Sequence, residues 1–322
     1  MPLSEFELID RFFRDCGIRR ADTRLAVGDD AALLHCPPGR ELVAAIDTLV
    51  EGVHFPAAAP PASFGHRVLA VNLSDLAAMG AEPAWALLAL TLPRAQEDWL
   101  REFAAALCAL AKAHAVQLVG GDTTAGPLSA TVQVLGFVEP GTALLRSGGQ
   151  AGDALFVTGT PGDAAAGLRI LQSRLSVADV RHASELRERF LFPTPRIALG
   201  RRLREYASAC IDVSDGLLGD AGKLAQASGC GAELDYEALP VSAALVGACG
   251  AEQARELALT GGDDYELCFS VPVSRIDAML EALPRHRWGY ARIGTLRSGA
   301  GTVVRRGGTV MDVSARGFDH FA

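Results

Sequence analysis

Two adjacent aspartates, Asp29 and Asp30, stand in "AVGDDAAL", after a glycine and among apolar residues. Aspartate is common in turns and helix caps, so each such motif alone is more readily explained by local structure. Six further acids stand at predicted strand ends or helix starts: Asp47, Asp122, Asp212, Asp215, Asp263 and Asp264. Converging carboxylates repel one another unless they bind protons or cations, and oxygen ligands of this kind suit Mg²⁺. Their recurrence therefore predicts a magnesium site assembled from several segments.

Four other side chains are candidates for ligand binding, each with a structural alternative. Asp75 lies inside the predicted apolar helix 63–80, where the alternative is a solvent-facing acid. His54 follows the acid of the preceding strand, although partial surface exposure is the more common role of histidine. Arg146, in a glycine-rich segment, either clamps phosphate or is solvated. Phe318, near the C terminus, is either a core anchor or a stacking platform.

The sequence lacks the standard nucleotide-binding motifs. "GDAGK" (219–223) approaches a P-loop, but the required first glycine would stand at position 217, which is Leu217. No GxGxxG opens a predicted helix, and the HRD and DFG motifs of protein kinases are missing. If the chain binds ATP, it uses another scheme.

Length and composition limit the class of protein. A chain of 322 residues with 49% hydrophobic residues is long enough for two domains. The net charge of −8, without a basic run, argues against nucleic acid as a partner. The longest apolar run, 84–92, is too short to cross a bilayer, and no signal peptide is visible. Seven cysteines without CxxC spacing predict a reduced, cytoplasmic protein without a zinc site or disulfides.

The candidate residues are positioned by alternating strands and helices. Ser4 and Glu7 predict a capping box before a first helix, and Ser214 or Asp215 is expected to cap the helix that follows "DVSDG". "VQLVGGD" is predicted to be a short strand that ends in a Gly-Gly turn. Ligand sites of α/β folds gather beyond the carboxyl ends of strands, where most of these acids are expected.

The glycine-rich segment 139–153 has no clear period. It is interpreted as the junction between an N-terminal α/β domain, residues 1–140, and a C-terminal α+β domain, residues 150–322.

Seven motifs resemble the thiamine-monophosphate kinase family, within the aminoimidazole ribonucleotide synthetase-like superfamily. In chain order they are "VGDDAAL", "DTLVEGVHF", "VNLSDLAAMGAEP", "GGDTT", "TGTPGDAAAGL", "DVSDGL" and "GGDDYEL". The resemblance implies a two-domain α/β and α+β fold whose N-terminal domain pairs strands across a homodimer. It also implies ATP bound in a cleft between the domains, and ATP-dependent phosphorylation of thiamine monophosphate to thiamine diphosphate by in-line transfer with several Mg²⁺ ions. No membrane or nucleic-acid partner is implied.

The resemblance also implies roles for individual residues. The implied Mg²⁺ ligands are Asp30, Asp47, Asp75, Asp122, Asp212 and Asp215. The implied ATP contacts are Gly121, Asp122, Arg146, Ser214 and His114, and the implied thiamine monophosphate contacts are His54, Asp263 and Phe318. No catalytic base is expected, because the acceptor is a phosphate.

The chain departs from the family pattern at three places. Ala45 and Ile46 replace hydroxyl residues before Asp47, so a metal contact at these positions either uses a backbone carbonyl or is lost. Asp263 stands where the family usually has Glu, and His114 where it often has Tyr.

Two alternative functions remain. Superfamily members that make selenophosphate or dehydrate a carbamoyl group use a reactive cysteine or selenocysteine near the N terminus, or a C-terminal cysteine. Here the chain ends in "DHFA", and Cys16 stands in the predicted first helix, which counts against both. The other alternative is a non-catalytic metal- or nucleotide-binding module.

Overall fold

The computed structural model describes residues 4–313 of the chain. They divide into two compact units. The first unit holds the residues up to Leu76 together with Ala81–Thr142, and the second holds Ala77–Gly80 together with the residues from Ala143 onward.

The first unit alternates helices and strands. Its elements are α1 (Glu5–Phe12), β1 (Thr23–Leu25), β2 (Leu33–Leu34), β3 (Glu41–Val50), α2 (Pro61–Ala78), β4 (Glu82–Leu92), α3 (Glu97–Ala113), β5 (Gln117–Ala125) and β6 (Ser129–Val138). The predicted capping box at the start of α1 is confirmed: the Ser4 hydroxyl accepts from the Glu7 N–H, and the Glu7 carboxylate accepts from the Ser4 N–H.

Four strands of this unit form a sheet in the order β3-β6-β4-β5, in which β4 and β5 are parallel and the other neighbours antiparallel. One face, the helix face, bears α2, whose Leu76 lies beside Gly136 of β6. The opposite face, the open face, includes Leu42 and Ile46 of the edge strand β3, which are 52% and 61% exposed. The helix face is therefore packed, whereas the open face is covered by the β1–β2 segment around Trp85 and exposed at the edge strand β3.

Two predicted features of this sheet are wrong. β5 runs through Gly120 and Gly121 to Ala125, so the expected Gly-Gly turn is strand instead. Parallel pairing with β4 outweighs the local turn preference of the two glycines. Likewise β3 continues past Asp47 to Val50, because it pairs with β6 along its whole length.

The second unit is built around a larger sheet. Its elements are β7 (Ala154–Thr158), α4 (Asp163–Leu171), α5 (Val180–Leu191), α6 (Ile197–Leu203), β8 (Ala209–Val213), α7 (Leu217–Ala227), β9 (Gly231–Asp235), α8 (Ala243–Cys249), α9 (Ala251–Thr260), β10 (Glu266–Val271), α10 (Ile276–Ala282), α11 (Arg285–Trp288), β11 (Tyr290–Arg297), β12 (Thr302–Arg306) and β13 (Thr309–Met311). Seven strands pair in the order β13-β12-β9-β11-β7-β10-β8. All residues of β7, β8 and β10 are buried, so this end of the sheet belongs to the core of the unit.

Cys16 and Cys108 form a disulfide, so the expectation of a chain without disulfides is wrong for this pair. The placement of Cys16 in the first helix is also wrong, because α1 ends at Phe12 and Cys16 follows it. α1 packs against α3, and the Cα atoms of Cys16 and Cys108 lie 4.8 Å apart. The cysteines are 92 residues apart, so no short spacing motif marks them in the sequence.

Within residues 4–313, no helix has the length and apolar character needed to cross a bilayer.

Candidate functional site

A cavity of about 1310 Å³ opens in the first unit. Its walls come from α1, from the loop between β1 and β2, and from the sheet. Three of the predicted site residues line it: Asp30, Gly121 and Asp122. The fold thus brings two predicted ligands from distant segments to one cavity.

The two aspartates of the "GDD" loop differ in environment. The Asp29 carboxylate accepts a hydrogen bond from the Asp30 N–H at 2.8 Å, which is local turn structure. The Asp30 carboxylate is exposed and, among residues 4–313, has no hydrogen-bond or ion-pair partner. Arg14, which pairs with Asp10, places a terminal nitrogen 3.2 Å from the position that a Cβ of Gly28 would occupy. A positive charge therefore lies beside the loop.

Gly121 and Asp122 belong to the part of β5 that pairs with β4. A Cβ at Gly121 would lie 1.8 Å from the Leu88 carbonyl oxygen, and its φ is +150°, so only glycine fits this approach. Asp122 pairs with Ala89 in the same cross-strand row as Thr131. Its carboxylate is exposed and also has no partner within the described part of the chain.

Asp47 and Asp75 belong to the other side of the same sheet. Asp47 pairs with Val132, in the row next to that of Asp122. Because successive strand residues alternate between faces, Asp47 leaves the sheet on the helix face, which bears α2 with Asp75. The first unit thus divides its predicted ligands into Asp30 and Asp122 at the cavity and a second pair on the helix face.

The donor chemistry of these acids fits Mg²⁺, although no complete ligand cluster is preformed. Across residues 4–313, no three His, Cys, Asp or Glu side chains are grouped closely enough to hold a metal ion. Mg²⁺ usually keeps several waters and is bound by one or two carboxylates plus substrate phosphates. A pair such as Asp30 and Asp122 satisfies that requirement without a third protein ligand.

The second unit carries the remaining predicted ligands at the end of β8. Asp212 is buried within the strand, at 6% exposure, and Ser214 and Asp215 follow it. The expected capping of α7 by these two residues is wrong. Instead Asp220, inside α7, accepts hydrogen bonds from the N–H groups of Ser214 and Asp215, both at 3.0 Å.

Lys223 of α7 connects the acids of this segment. Its ammonium group contacts the Asp215 carboxylate at 2.6 Å and the Asp220 carboxylate at 2.9 Å. Burial raises the pKa of Asp220, and the bond from Lys223 opposes this shift. The sequence analysis missed both residues, although the three-residue spacing of Asp220 and Lys223 in one helix was a usable signal.

The loop 261–265 is held against this segment. The Asp263 N–H donates to the Ser214 carbonyl and the Tyr265 N–H to the Val213 carbonyl, both at 2.8 Å. A Cβ at Gly262 would lie 2.5 Å from the Ser214 carbonyl oxygen, so the loop requires glycine there. The fold therefore brings a predicted substrate residue, Asp263, next to a predicted ATP residue, Ser214.

Two predicted histidines lie at element ends of the first unit. His54 is half-buried after β3, and its Nδ1 accepts from the Val50 N–H at 3.0 Å. His114 ends α3 and is not part of the cavity wall. Burial, with a smaller effect of His66, lowers the pKa of His114, so its neutral form is favoured at pH 7.

Arg146 is exposed in the segment before β7, and its carbonyl accepts from the Ser228 hydroxyl at 3.1 Å. Phe318 lies outside the described residues.

Sequence comparison defines the class of this protein. The AIR synthase related protein N-terminal domain matches residues 28–138, and the C-terminal domain of the same family matches residues 150–306.

Full-length relatives narrow the class. Thiamine-monophosphate kinase of Escherichia coli strain K12 is 48% identical over 323 residues, which cover 100% of this chain and 99% of that protein. The crystal structure of thiamine-monophosphate kinase from Stenotrophomonas maltophilia K279a is 47% identical, with a TM-score of 0.87, and the match covers 94% of this chain and 97% of that one. The chain belongs to the thiamine-monophosphate kinase family.

A third relative is described as AaThiL complexed with AMPPCP and TMP. It is 33% identical, with a TM-score of 0.78, and the match covers 100% of this chain and 99% of that one. The predicted family and two-domain fold class are confirmed by these matches.

Proposed function

We propose that this protein transfers the γ-phosphoryl group of ATP to thiamine monophosphate and releases thiamine diphosphate and ADP. One observation carries the proposal: the chain matches, over its full length, a relative complexed with AMPPCP and TMP. AMPPCP is an ATP analogue that cannot donate its terminal phosphoryl group, so both proposed substrates are represented in that complex.

The acceptor chemistry explains why the proposal requires no catalytic base. A phosphate monoester has a second pKa of about 6, so its oxygen is already an anionic nucleophile at neutral pH. The main obstacle is repulsion between two polyanions, not removal of a proton. When bound, Mg²⁺ would neutralise phosphate charge and align the attacking and leaving oxygens.

The protein's part in this reaction is to present carboxylates. The proposed Mg²⁺ ligands are Asp30, Asp47, Asp75, Asp122, Asp212 and Asp215. The exposed, unpartnered carboxylates of Asp30 and Asp122 on the cavity wall support the first pair most directly, within residues 4–313. Unpaired acids on one cavity wall raise the local negative potential, which favours cation binding.

The proposed ATP contacts are Gly121, Asp122, Arg146, Ser214 and His114. Gly121 is exposed on the cavity wall, so its backbone is accessible to a ligand. The exposed guanidinium of Arg146 suits bidentate phosphate binding. A neutral His114 is able to donate or accept one hydrogen bond on the adenine side.

The proposed thiamine monophosphate contacts are His54, Asp263 and Phe318. The thiazolium ring is cationic, so the carboxylate of Asp263 complements its charge and the ring of Phe318 suits stacking. Asp263 is one methylene shorter than the usual Glu, so its contact is expected to be longer or water-mediated.

We also propose that the protein is a homodimer joined through the first unit. The open face exposes Leu42 and Ile46 on the edge strand β3, and an exposed apolar edge of this kind favours association. A second copy would bury these side chains.

The direct test is to incubate the protein with ATP, Mg²⁺ and thiamine monophosphate and to separate the products. We expect equal amounts of thiamine diphosphate and ADP. Release of ADP and inorganic phosphate without thiamine diphosphate would refute the proposed transfer, and tight nucleotide binding without turnover would favour a binding module.

A further inference from the structure

Asp264 is a buried carboxylate, 5% exposed, directly after the proposed substrate residue Asp263. Its two oxygens accept hydrogen bonds from the N–H groups of Gly162, at 2.8 Å, and Ala164, at 3.4 Å. Gly162 is the N-cap of α4 and has no side chain to cap the helix. Asp264 therefore caps α4 from a different segment, and it ties the loop 261–265 to the start of that helix.

The loop is held in a conformation that is unfavourable by itself. Asp263 and Tyr265, on either side of Asp264, have φ values of +71° and +52°. Residues with a Cβ adopt such values only where the surroundings impose them. The hydrogen bonds to Ser214 and Val213 impose them from one side, and the bonds of Asp264 to α4 impose them from the other.

The position after the loop is also fixed. Glu266, 1% exposed, accepts from Arg196 at 2.5 and 2.6 Å, from Arg189 at 2.7 Å and from the Thr158 hydroxyl at 2.5 Å. Burial alone would raise the pKa of Glu266, but its arginine and threonine partners outweigh burial and lower it. The first residue of β10 is thus anchored, so Asp264 controls the remaining freedom of the loop.

We propose that Asp264 is a positioning residue for substrate recognition: its hydrogen bonds to the N terminus of α4 hold the loop 261–265 so that the Asp263 side chain is presented to thiamine monophosphate. This inference rests on the proposed function. Asp264 itself does not touch the substrate, and its effect passes through the conformation of Asp263.

A purely structural role for Asp264 would stabilise α4 and have no effect on substrate binding. Asp163 provides the matched control, because it is also a buried acid, 1% exposed, at the start of the same helix. Its carboxylate accepts from the hydroxyls of Thr160, at 2.5 Å, and Ser242, at 2.7 Å, and lies 3.9 Å from the guanidinium of Arg189. Within the described residues, no hydrogen bond joins it to the loop 261–265.

The test uses full-length Asp264→Ala, Asp163→Ala, Asp263→Ala and the double variant Asp263→Ala/Asp264→Ala. The Kd for thiamine monophosphate is measured by calorimetry and KM and kcat by product formation, well below each melting temperature. We expect Asp264→Ala and Asp163→Ala, which both remove hydrogen bonds at the start of α4, to lower the melting temperature. Only Asp264→Ala is expected to raise Kd and KM for thiamine monophosphate, roughly tenfold, with the KM for ATP nearly unchanged.

The double variant decides whether Asp264 acts through Asp263. If it does, the double variant has the same Kd as Asp263→Ala. The Asp263 side chain, which the loss of Asp264 would misplace, is already absent in both of these variants. If Asp264→Ala does not fold, Asp264→Asn replaces it in the same cycle: its single amide oxygen keeps the bond from the Gly162 N–H and loses the bond from the Ala164 N–H, so a smaller rise in Kd is expected.

The proposal would be overturned if the rises in Kd of the two single variants multiply in the double variant. It would also be overturned if Asp163→Ala raises Kd as much as Asp264→Ala does, or if Asp264→Ala changes only the melting temperature. The outcomes also distinguish a failure of the proposed function from a failure of the role proposed for Asp264. A wild type that binds thiamine monophosphate without converting it contradicts the proposed function alone, whereas a wild type that does not bind it overturns both.

Discussion

Two groups of acids in this chain differ in how the fold treats their charge. Buried acids such as Asp220 and Glu266 are neutralised by lysine, arginine or backbone N–H donors, and they organise loops. Asp30 and Asp122 are exposed at a cavity and have no protein partner in the described part of the chain. Charge left uncompensated by the fold is available to a ligand, which is why the second group is the better functional candidate.

We predict that Asp30→Asn and Asp122→Asn each lower kcat by at least about 100-fold, as expected when stabilisation of phosphoryl-transfer charge is lost. Neither substitution breaks a hydrogen bond within residues 4–313, so the melting temperature is expected to stay the same or rise. Steady-state kinetics and thermal melting on the same preparations check both statements.

Asp29→Asn is the matched control, because Asp29 already serves the turn through the Asp30 N–H. Its kcat is expected to change by less than about threefold. Near-normal kcat in both Asp30→Asn and Asp122→Asn would mean that these two acids have a structural role only and do not bind the metal.

Sequence reasoning identified the candidate acids but not their local environment. Asp29 and Asp30 are adjacent and chemically identical, and only the fold shows that Asp29 is engaged in a turn whereas the Asp30 carboxylate has no partner within residues 4–313. The capping role predicted for Ser214 and Asp215 is wrong: α7 begins after Gly216 without a side-chain cap, and the Asp220 carboxylate instead accepts from the N–H groups of Ser214 and Asp215, which precede the helix.

At the scale of elements, the close pairing of β4 and β5 positions the cavity wall. A Cβ at Gly121 would collide with the Leu88 carbonyl oxygen, and the φ of +150° disfavours any other residue. The local "GG" pattern predicted a turn here, because turn propensity is visible in the sequence and parallel pairing with a strand about thirty residues away is not.

We predict that Gly121→Ala destabilises the protein by at least about 3 kcal/mol, since strain and a backbone clash add. Gly39→Ala is the control: its φ is +72°, but a Cβ there would meet no atom within 4 Å. Its cost is expected to be about 1 kcal/mol, from backbone conformation alone. Urea unfolding of both variants measures the difference, and equal costs would contradict the close approach.

The capping box of α1 and the disulfide between Cys16 and Cys108 differ in how well they could be predicted from the sequence. The capping box of α1 was predicted because its residues are neighbours, three positions apart. The disulfide between Cys16 and Cys108 was missed because it depends on packing of α1 against α3 across 92 residues. Local chemistry is therefore predictable here, whereas contacts between distant segments require the fold.

At the scale of the whole molecule, the open face of the first sheet is the strongest argument for a dimer. Apolar side chains of β3 are more than half exposed in the single chain, which is unfavourable in water. We predict that Ile46→Glu converts the protein from dimer to monomer, because a carboxylate would be buried without a partner in the interface.

Light scattering coupled to size-exclusion chromatography measures this change. Val180→Glu is the control, because Val180 is 77% exposed on α5 of the second unit, and this variant is expected to remain dimeric. A wild type that is monomeric at micromolar concentration would contradict the proposed interface.

The proposed reaction is phosphorylation of a phosphate, which requires no base to activate a hydroxyl. The most direct measurement compares thiamine monophosphate with free thiamine as acceptors, at equal ATP and Mg²⁺ concentrations. We expect thiamine monophosphate to be converted to thiamine diphosphate and kcat/KM for thiamine to be lower by at least about 1000-fold, since thiamine lacks both the anionic nucleophile and the metal-binding phosphate. Phosphorylation of thiamine at a similar kcat/KM would contradict it.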